Sequence, residues 1–173
     1  MINITAKQLQ HHRECHCKDC ELSKLRFALY KLLEYLVIFL IGGATYVCIE
    51  LLYRGYSHWS MFIVGGLCLI IIGILNEGIF PRQCGLLLQM IIGAIAITCI
   101  EFITGIIVNV WLGLDVWDYS NMPLNIMGQV CLPFTLAWFL LSYVAIRVDD
   151  EIRYRLFNEP KPTYVWWTFK END

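Results

Sequence analysis

Four long apolar runs limit the folds that are open to this 173-residue sequence. They cover about residues 32–52, 61–80, 86–110 and 124–148, and a helix needs roughly 20 apolar residues to cross a bilayer. Hydrophobic residues make up 58% of the chain and charged residues only 16%. A soluble domain of this size could not bury so much apolar surface. The runs therefore predict an all-α membrane protein with four transmembrane helices.

Two of these runs share a sequence pattern. Residues 42–54 read GGATYVCIELLYR and residues 93–105 read GAIAITCIEFITG, so each copy has Cys-Ile-Glu beginning six residues after a glycine. A second similarity relates residues 57–69 to residues 120–132, with Ser, Gly, Cys and Leu at matching positions. We interpret the chain as two tandem parallel helical hairpin repeats, at residues 32–80 and 81–148. The alternative is chance, because glycine, cysteine and isoleucine are common in membrane helices.

The distribution of basic residues predicts the orientation. Lysine and arginine concentrate in the polar tail of residues 1–31 and from Arg147 onwards, and only Arg54 and Arg82 lie between. Cytoplasmic segments are enriched in these residues. We therefore expect an integral membrane protein of the plasma membrane with both termini cytoplasmic, whose two hairpins are related by an axis along the membrane normal.

Each hairpin then carries one glutamate in the outer half of the membrane, Glu50 or Glu101. Ionisable side chains at membrane depth usually have a functional role, and polar side chains turn away from lipid. We predict an outward-opening polar cavity, with Asn109 in the outer loop beside it. The predicted substrate-binding residues are Glu50, Arg54, His58, Trp59, Glu101, Trp117, Asp118, Tyr119, Ser120, Asn125 and Gln129.

A structural role for the same side chains is the alternative. Arg54 follows Glu50 at the i,i+4 spacing of a helical ion pair, and Glu101 could contact Asn125 across two helices. Asn125 and Gln129 are also four residues apart, so we expect them on one face of the fourth span. In this interpretation the polar cluster only specifies how the helices pair.

The tails contain two further patterns. The amino-terminal tail holds Cys15, His16, Cys17 and Cys20, a weak candidate for a zinc site. We expect a reduced tail without a resident metal, and we predict no cofactor. In the carboxyl tail, residues 149–173, we expect the fourth helix to continue into water. An aromatic cluster then follows on the cytoplasmic membrane surface, with a docking partner as the alternative; its members are Tyr164, Trp166, Trp167 and Phe169.

The loop sequences resemble those of a known family. Residues 55–61 read GYSHWSM and residues 116–134 read VWDYSNMPLNIMGQVCLPF. With the two glutamate segments, they resemble the ABC-transporter type IV permease family, also called CmpB-like, over about residues 42–142. The resemblance implies a four-span membrane protein with a role in transport. It also implies that the family shares the polar residues Glu50, Arg54, His58, Trp59, Glu101, Trp117, Asp118, Tyr119, Ser120 and Asn125.

Three functions are compatible with these features. The first is a permease subunit for a small polar or amphiphilic solute, embedded in the lipid bilayer as a homo-oligomer or with a separate ATPase subunit. The sequence has no Gly-x4-Gly-Lys-Ser/Thr loop for ATP, and we expect no nucleic-acid partner. The second is an intramembrane enzyme acting on a lipid or isoprenoid head group, with His58 assisting a carboxylate. Its missing nucleophile and metal motifs favour a non-enzymatic role. The third is a membrane assembly or regulatory protein.

Overall fold

The computed structural model describes residues 6–74 and 85–166, with side chains described from residue 21 onwards. The described segments are helical apart from their loops, and one isolated antiparallel bridge joins Ile126 to Val130. The elements are α1 (Ala6–Arg54), α2 (Trp59–Ile74), α3 (Leu86–Gly105), a π-helical segment (Ile106–Trp111) that continues α3, and α4 (Leu132–Leu156).

Three of the described helical stretches are long and apolar enough to cross a membrane. They are Glu21–Arg54 within α1, Leu86–Trp111, and Leu132–Leu156. The remaining helix, α2, is apolar but has 16 described residues. The predicted second span continues into residues 75–80, which lie outside the described residues. The all-helical architecture is therefore confirmed, with three described helices that could span a membrane, whereas the fourth span and the tandem repeat stay predictions.

The first helix begins much earlier than the first apolar run. It is continuous over 49 residues from Ala6 to Arg54, although the apolar run begins only near Leu32. Polar residues such as Gln, Lys and Arg have good helix propensity, so the helix extends into the polar tail. The side chains of the predicted weak metal ligands in this tail lie outside the described residues.

The fourth helix begins later than predicted, at Leu132 instead of about residue 124. The backbone before it cannot be helical, because Leu124, Met127 and Gly128 have positive φ angles of 52°, 51° and 68°. The prediction that Asn125 and Gln129 share a face of the fourth span is therefore wrong. Both residues belong to the segment that connects the π-helical segment to α4.

The chain divides into two compact units between Leu36 and Val37. In the first unit, Lys31 Nζ lies 2.8 Å from Glu34 Oε2, at the i,i+3 spacing of a helical ion pair. The second unit contains the remainder of α1 and all the other described elements. All the predicted substrate-binding residues belong to the second unit.

Close backbone approaches hold the helices of the second unit together. A Cβ atom at Gly42 of α1 would lie 2.7 Å from the carbonyl oxygen of Gly65 in α2. A Cβ atom at Gly93 of α3 would lie 2.8 Å from Ser142 Oγ in α4. Small residues permit such contacts between membrane helices, where packing replaces the hydrophobic driving force. These contacts fix the relative positions of α1 and α2 and of α3 and α4.

The interior and the outer faces of the second unit are both apolar. The buried core includes Met61, Cys68, Ile97, Trp138 and Ile146. Large apolar side chains on the outer faces stay 57–65% exposed, as expected of helices that contact lipid; they include Ile95, Ile103, Leu136 and Leu140.

The chain after α4 folds back onto the helices. Val165 accepts a backbone hydrogen bond of 2.8 Å from Leu86 at the start of α3, and the Trp166 ring stacks on Tyr143 at 6.0 Å. The Tyr164 hydroxyl donates a hydrogen bond to Asp150. Two of the four aromatic residues that we expected on the membrane surface therefore contact the protein itself; Trp167 and Phe169 lie outside the described residues.

The acidic residues at the end of α4 also differ from expectation. We expected this part of the helix in water, but Asp149 and Asp150 are buried, at 0% and 4% exposure. Arg153 Nε donates to Asp149 Oδ2 at 2.8 Å, and Tyr164 bonds Asp150. Nearby partners thus replace the water that these carboxylates would otherwise need.

Candidate functional site

Glu50 lies near the end of α1 and has a donor for each carboxylate oxygen. Arg54 Nη2 donates to Oε1 and Ser57 Oγ donates to Oε2, both at 2.6 Å. Arg54 Nη1 also donates to the carbonyl oxygen of Val116 at 2.7 Å. The i,i+4 ion pair is confirmed, and the side chains of Arg54 and Glu50 are only 15% and 13% exposed. Through Arg54, it fastens the end of α1 to the segment that precedes α4.

Glu101 lies on α3 and is 1% exposed. The indole N–H of Trp138 on α4 donates to its Oε2 at 2.8 Å. Its Oε1 has no hydrogen bond among the described residues, and the Tyr119 hydroxyl is the other donor near the carboxylate. The Trp138 ring stacks on Tyr46 of α1 at 5.5 Å. Glu101 is therefore a buried carboxylate with one unused acceptor oxygen, surrounded by aromatic rings.

Tyr119 is the residue that relates the two glutamates. Burial raises the pKa of its hydroxyl, the charge of Glu101 raises it further, and the nearby Arg54 opposes this shift while Glu50 adds to it. Its ring stacks on Phe134 at 4.6 Å. No described hydrogen bond joins Glu50 directly to Glu101. The charges of both carboxylates thus raise the pKa of the Tyr119 hydroxyl. Their hydrogen-bond donors differ, since Arg54 and Ser57 bond Glu50 and Trp138 bonds Glu101.

The contact between Glu101 and Asn125 that the structural alternative proposed is absent from the described hydrogen bonds. Asn125 instead closes a turn, donating to the carbonyl oxygens of Ser120 and Met122 at 3.0 Å and accepting from the Gly128 N–H at 3.2 Å. The turn results from the left-handed backbone conformations around it. Asn125 therefore shapes the connecting segment, and Trp138 is the residue that bonds Glu101.

Asp118 and Ser120 belong to the same turn. The backbone N–H and the hydroxyl of Ser120 donate to Asp118 Oδ1 at 2.8 and 2.5 Å. The hydroxyl bond, followed by the backbone bond, lowers the pKa of Asp118. A Cβ atom at Gly128 would lie 2.7 Å from the same Asp118 oxygen, so glycine is needed both for its φ angle of +68° and for space. Both predicted site residues are exposed and bonded to each other.

Gln129 and Trp117 anchor this segment in the interior. Asn109, on the π-helical segment, donates from Nδ2 to Gln129 Oε1 at 2.8 Å and to the carbonyl oxygen of Trp117 at 3.0 Å. Its Oδ1 accepts from the Val116 N–H at 2.8 Å, and the Trp117 indole donates to the Gln129 carbonyl at 2.9 Å. Asn109 is buried, although we expected it in the outer loop. Asn109 was not among the predicted binding residues, yet it holds both Gln129 and Trp117 in place.

His58 and Trp59 lie at the start of α2. His58 Nδ1 is 2.8 Å from Ser60 Oγ, so its described partner is a hydroxyl and not a carboxylate. Trp59 is 68% exposed. It belongs to a group of aromatic residues that are 59–76% exposed at this end of the helices, as in the interfacial belts of membrane proteins; the others are Tyr53, Tyr56 and Trp111.

A cavity of about 130 Å³ lies between α1 and α4, over α2 and α3. Its lining is almost entirely apolar and includes Gly42, Cys68, Ile97 and Leu141. Tyr46 and Trp138 form part of its wall. Trp138 thus lines the cavity and bonds Glu101, which is not itself a lining residue. Among the described residues, no group of three or more His, Cys, Asp or Glu side chains could hold a metal ion.

Comparison with known proteins identifies a family for most of the chain. No solved structure matches the chain. The model of the family described as "Putative ABC-transporter type IV" (ABC_trans_CmpB) matches residues 35–170. The match covers most of the chain and all eleven predicted site residues, and it confirms the resemblance of the loop sequences. Together with the three helices that could span a membrane, it shows that the chain is an integral membrane protein of the ABC-transporter type IV (CmpB) family.

Proposed function

We propose that the chain is a membrane permease subunit and that Glu101 is its principal solute-binding group. The observation that carries this proposal is the unused Oε1 atom of a carboxylate that is 1% exposed. An ionised carboxylate has about four acceptor positions, and leaving them unmet inside a membrane protein is costly. A bound solute that donates hydrogen bonds or carries positive charge would remove that cost.

The surroundings of Glu101 favour an amphiphilic cation. Trp138 bonds one oxygen directly, and the Tyr46 ring stacks on Trp138. Tyr119 approaches from the connecting segment. Aromatic faces attract cations by about 0.5–2 kcal/mol, with the larger values in desolvated sites. An amine or another organic cation with an apolar body would match both the charge and the rings.

In this proposal Glu50 acts with Glu101 as a positioning residue. Its two oxygens are already bonded to Arg54 and Ser57, so a solute would have to break those bonds to reach it. Arg54 holds the Val116 carbonyl, three residues before Tyr119. The ion pair would thereby keep Tyr119 beside Glu101. Five other predicted site residues shape the same segment, which would cover the site on its outward side; they are Trp117, Asp118, Ser120, Asn125 and Gln129.

The remaining elements of the proposal concern membrane topology and partners. Two parallel hairpins with cytoplasmic termini would bring Glu50 and Glu101 to the same outer half of the plasma membrane. The chain lacks a phosphate-binding Gly-x4-Gly-Lys-Ser/Thr loop, so ATP-driven transport would need a separate ATPase subunit, as the family description suggests. A second copy of the chain could complete the solute pathway.

Binding of radiolabelled tetraphenylphosphonium to the full chain in lipid nanodiscs tests the proposal. We expect saturable binding to the wild type and a loss of at least about tenfold in affinity, or 1.4 kcal/mol, in Glu101→Gln. Glu151→Gln is the matched control, because Glu151 is 47% exposed and pairs with Arg155 at the other end of α4. Thermal unfolding of each variant reports whether it is folded. Absence of saturable binding to the wild type, or equal binding to Glu101→Gln, would contradict the proposal.

An assembly role is the second candidate, and the Arg54 contacts favour it. Arg54 connects α1 to Val116 of the connecting segment, which is what a purely structural ion pair would do. In that case Glu50→Gln and Glu101→Gln would both change the oligomeric state and neither would change cation binding. An intramembrane enzyme has less support, because His58 is bonded to Ser60 and not to a carboxylate.

A further inference from the structure

The cavity between α1 and α4 is a lateral groove. Its wall is buried and includes Cys68, Ile72 and Ile97, whereas its rims are exposed. Ile49 and Val148, on the rims of α1 and α4, are each 36% exposed. Both rim helices have the length and hydropathy of membrane spans. The groove is thus open sideways to the hydrocarbon of the bilayer.

The groove has the length of a lipid chain in one leaflet. On α4 its lining residues run from Trp138 to Val148. Ten residues of α-helix rise about 15 Å, which is half of the roughly 30 Å hydrocarbon thickness. The groove runs along the helices, and therefore along the direction that lipid chains take in a bilayer.

The lining of the groove suits hydrocarbon and not water. Thr45 and Tyr46 supply its few polar atoms, beside Gly42, Leu141 and Val144. An apolar cavity of about 150 Å³ in another protein stays dry and binds benzene, and the groove has a comparable volume of about 130 Å³. If the groove were empty, its lining would lose dispersion contacts on one side.

The two ends of the groove differ. At the Trp138 end, the stacked Tyr46 and Trp138 rings, and the contact of Tyr53 with Phe134 at 5.9 Å, join α1 to α4. At the other end, exposed Arg147 follows the rim residue Val144 by one helical turn. The Arg147 guanidinium lies 4.6 Å from the centre of the Tyr164 ring.

Arg147 carries a positive charge and precedes Val148, the last lining residue of the groove on α4. A guanidinium that stacks on an aromatic ring keeps its N–H groups at the edge of its plane, where they match a phosphate. A phospholipid with its phosphate at Arg147 could extend one acyl chain past Val144 towards Trp138.

We propose that the groove binds one acyl chain of an anionic phospholipid from the leaflet at the carboxyl end of α4, with its phosphate on Arg147. Glu101 does not line the groove, so this site does not depend on the solute. The bound acyl chain contacts Trp138 and so supports the indole ring that bonds Glu101.

Photo-crosslinking with phosphatidylglycerol that carries a diazirine in one acyl chain tests this proposal. The full chain is reconstituted in vesicles of phosphatidylcholine with a small share of the probe, irradiated, digested and analysed by mass spectrometry. We expect crosslinks in Thr45–Ile49 and Leu141–Val148. Filling the groove with Leu141→Trp should lower this labelling about tenfold, equivalent to 1.4 kcal/mol.

The neighbouring leucine provides the matched control. Leu140 is 65% exposed and does not line the groove, so Leu140→Trp should leave the labelling unchanged. Where Leu141→Trp fails to fold, Thr45→Trp fills the groove from the opposite rim, with exposed Ala44→Trp as its control. Arg147→Gln should abolish the preference for phosphatidylglycerol over a phosphatidylcholine probe with the same chain.

Two outcomes would overturn the lipid site. Equal labelling of Leu141→Trp and Leu140→Trp would show only the general layer of lipid around the protein. Loss of labelling on addition of tetraphenylphosphonium, with no loss on addition of unlabelled phosphatidylglycerol, would assign the groove to the solute. Because the readout is lipid labelling, a negative result for Glu101→Gln in the cation-binding assay leaves this test intact.

Discussion

The indole N–H of Trp138 donates a hydrogen bond of 2.8 Å to Glu101 Oε2, between α4 and α3 in the interior of the protein. Both residues are buried, at 8% and 1% exposure. Because an indole nitrogen only donates, this bond fixes which carboxylate oxygen is occupied. It leaves Oε1 without a described partner and so defines the acceptor that we assign to the solute.

Removing this donor should destabilise the protein. Trp138→Phe keeps an aromatic ring against Tyr46 but leaves the Glu101 carboxylate without its hydrogen bond. A buried polar group that loses its partner costs about 1–3 kcal/mol, to be measured as a lower midpoint of chemical unfolding in detergent. Trp59→Phe is the control, because Trp59 is 68% exposed. Equal stability of Trp138→Phe and the wild type would contradict the assigned role of the bond.

The ion pair at the end of α1 should be coupled to the connecting segment. Arg54→Gln removes the cation from Glu50 and a donor from the Val116 carbonyl, and breaking a largely buried pair costs about 3–5 kcal/mol. A cycle with Glu50→Gln measures the coupling free energy from unfolding curves. Exposed Arg155→Gln, which breaks the Glu151 pair, should cost at most about 1 kcal/mol. Additive effects of Arg54→Gln and Glu50→Gln would disprove the coupling.

The contact between α1 and α2 should not tolerate a methyl group. In Gly65→Ala the new Cβ would lie 2.3 Å from Tyr46 Cβ and 2.8 Å from the Gly42 carbonyl oxygen. Overpacking of this kind costs about 1–3 kcal/mol, which a thermal unfolding series would detect as a lower Tm. Ala44→Ser, at an exposed position of α1, serves as the control. An unchanged Tm for Gly65→Ala would show that the helices are farther apart.

The turn at Asp118 should lose a stabilising contribution in acid. Its pKa is lowered by the Ser120 hydroxyl and backbone N–H, so the contribution is present above the ordinary carboxyl pKa of about 3.9 and is lost as the pH falls through the lowered folded value. In Ser120→Ala the pKa of Asp118 should rise towards the ordinary value. A carbon NMR titration of the Asp118 carboxyl measures this change, and Ser57→Ala is the control. An Asp118 pKa that is the same in Ser120→Ala and wild type would refute the assigned cause.

Hydropathy predicted the helices better than their ends. The apolar runs identified α1, α3 and α4 because spans must be apolar over about 20 residues. The start of α4 was missed, since Leu124, Ile126 and Val130 extend the apolar run ahead of the helix. The turn signals of this segment, Pro123 and Gly128, indicate a break in the helix. Hydropathy likewise could not mark the beginning of α1, because the helix continues through polar residues.

The candidate site was predicted in part. Spacing on one helix was sufficient for the Glu50–Arg54 pair, because residues four apart on a helix are neighbours. The partner of Glu101 lies on another helix, 37 residues away, and no local spacing relates them. Asn109 is a polar residue within an apolar stretch of the sequence, and this pattern is typical of a buried polar side chain. Its bonds to Gln129 and Trp117 follow only from the fold.

Infrared difference spectroscopy of the Glu101 carboxylate tests the central claim most directly. Spectra of the full chain in nanodiscs would be recorded before and after addition of tetraphenylphosphonium. We predict a ligand-induced change in the carboxyl bands that disappears in Glu101→Gln and persists in Glu151→Gln. The same difference spectrum in the wild type and Glu101→Gln would show that the cation does not bind this carboxylate, and would contradict the account.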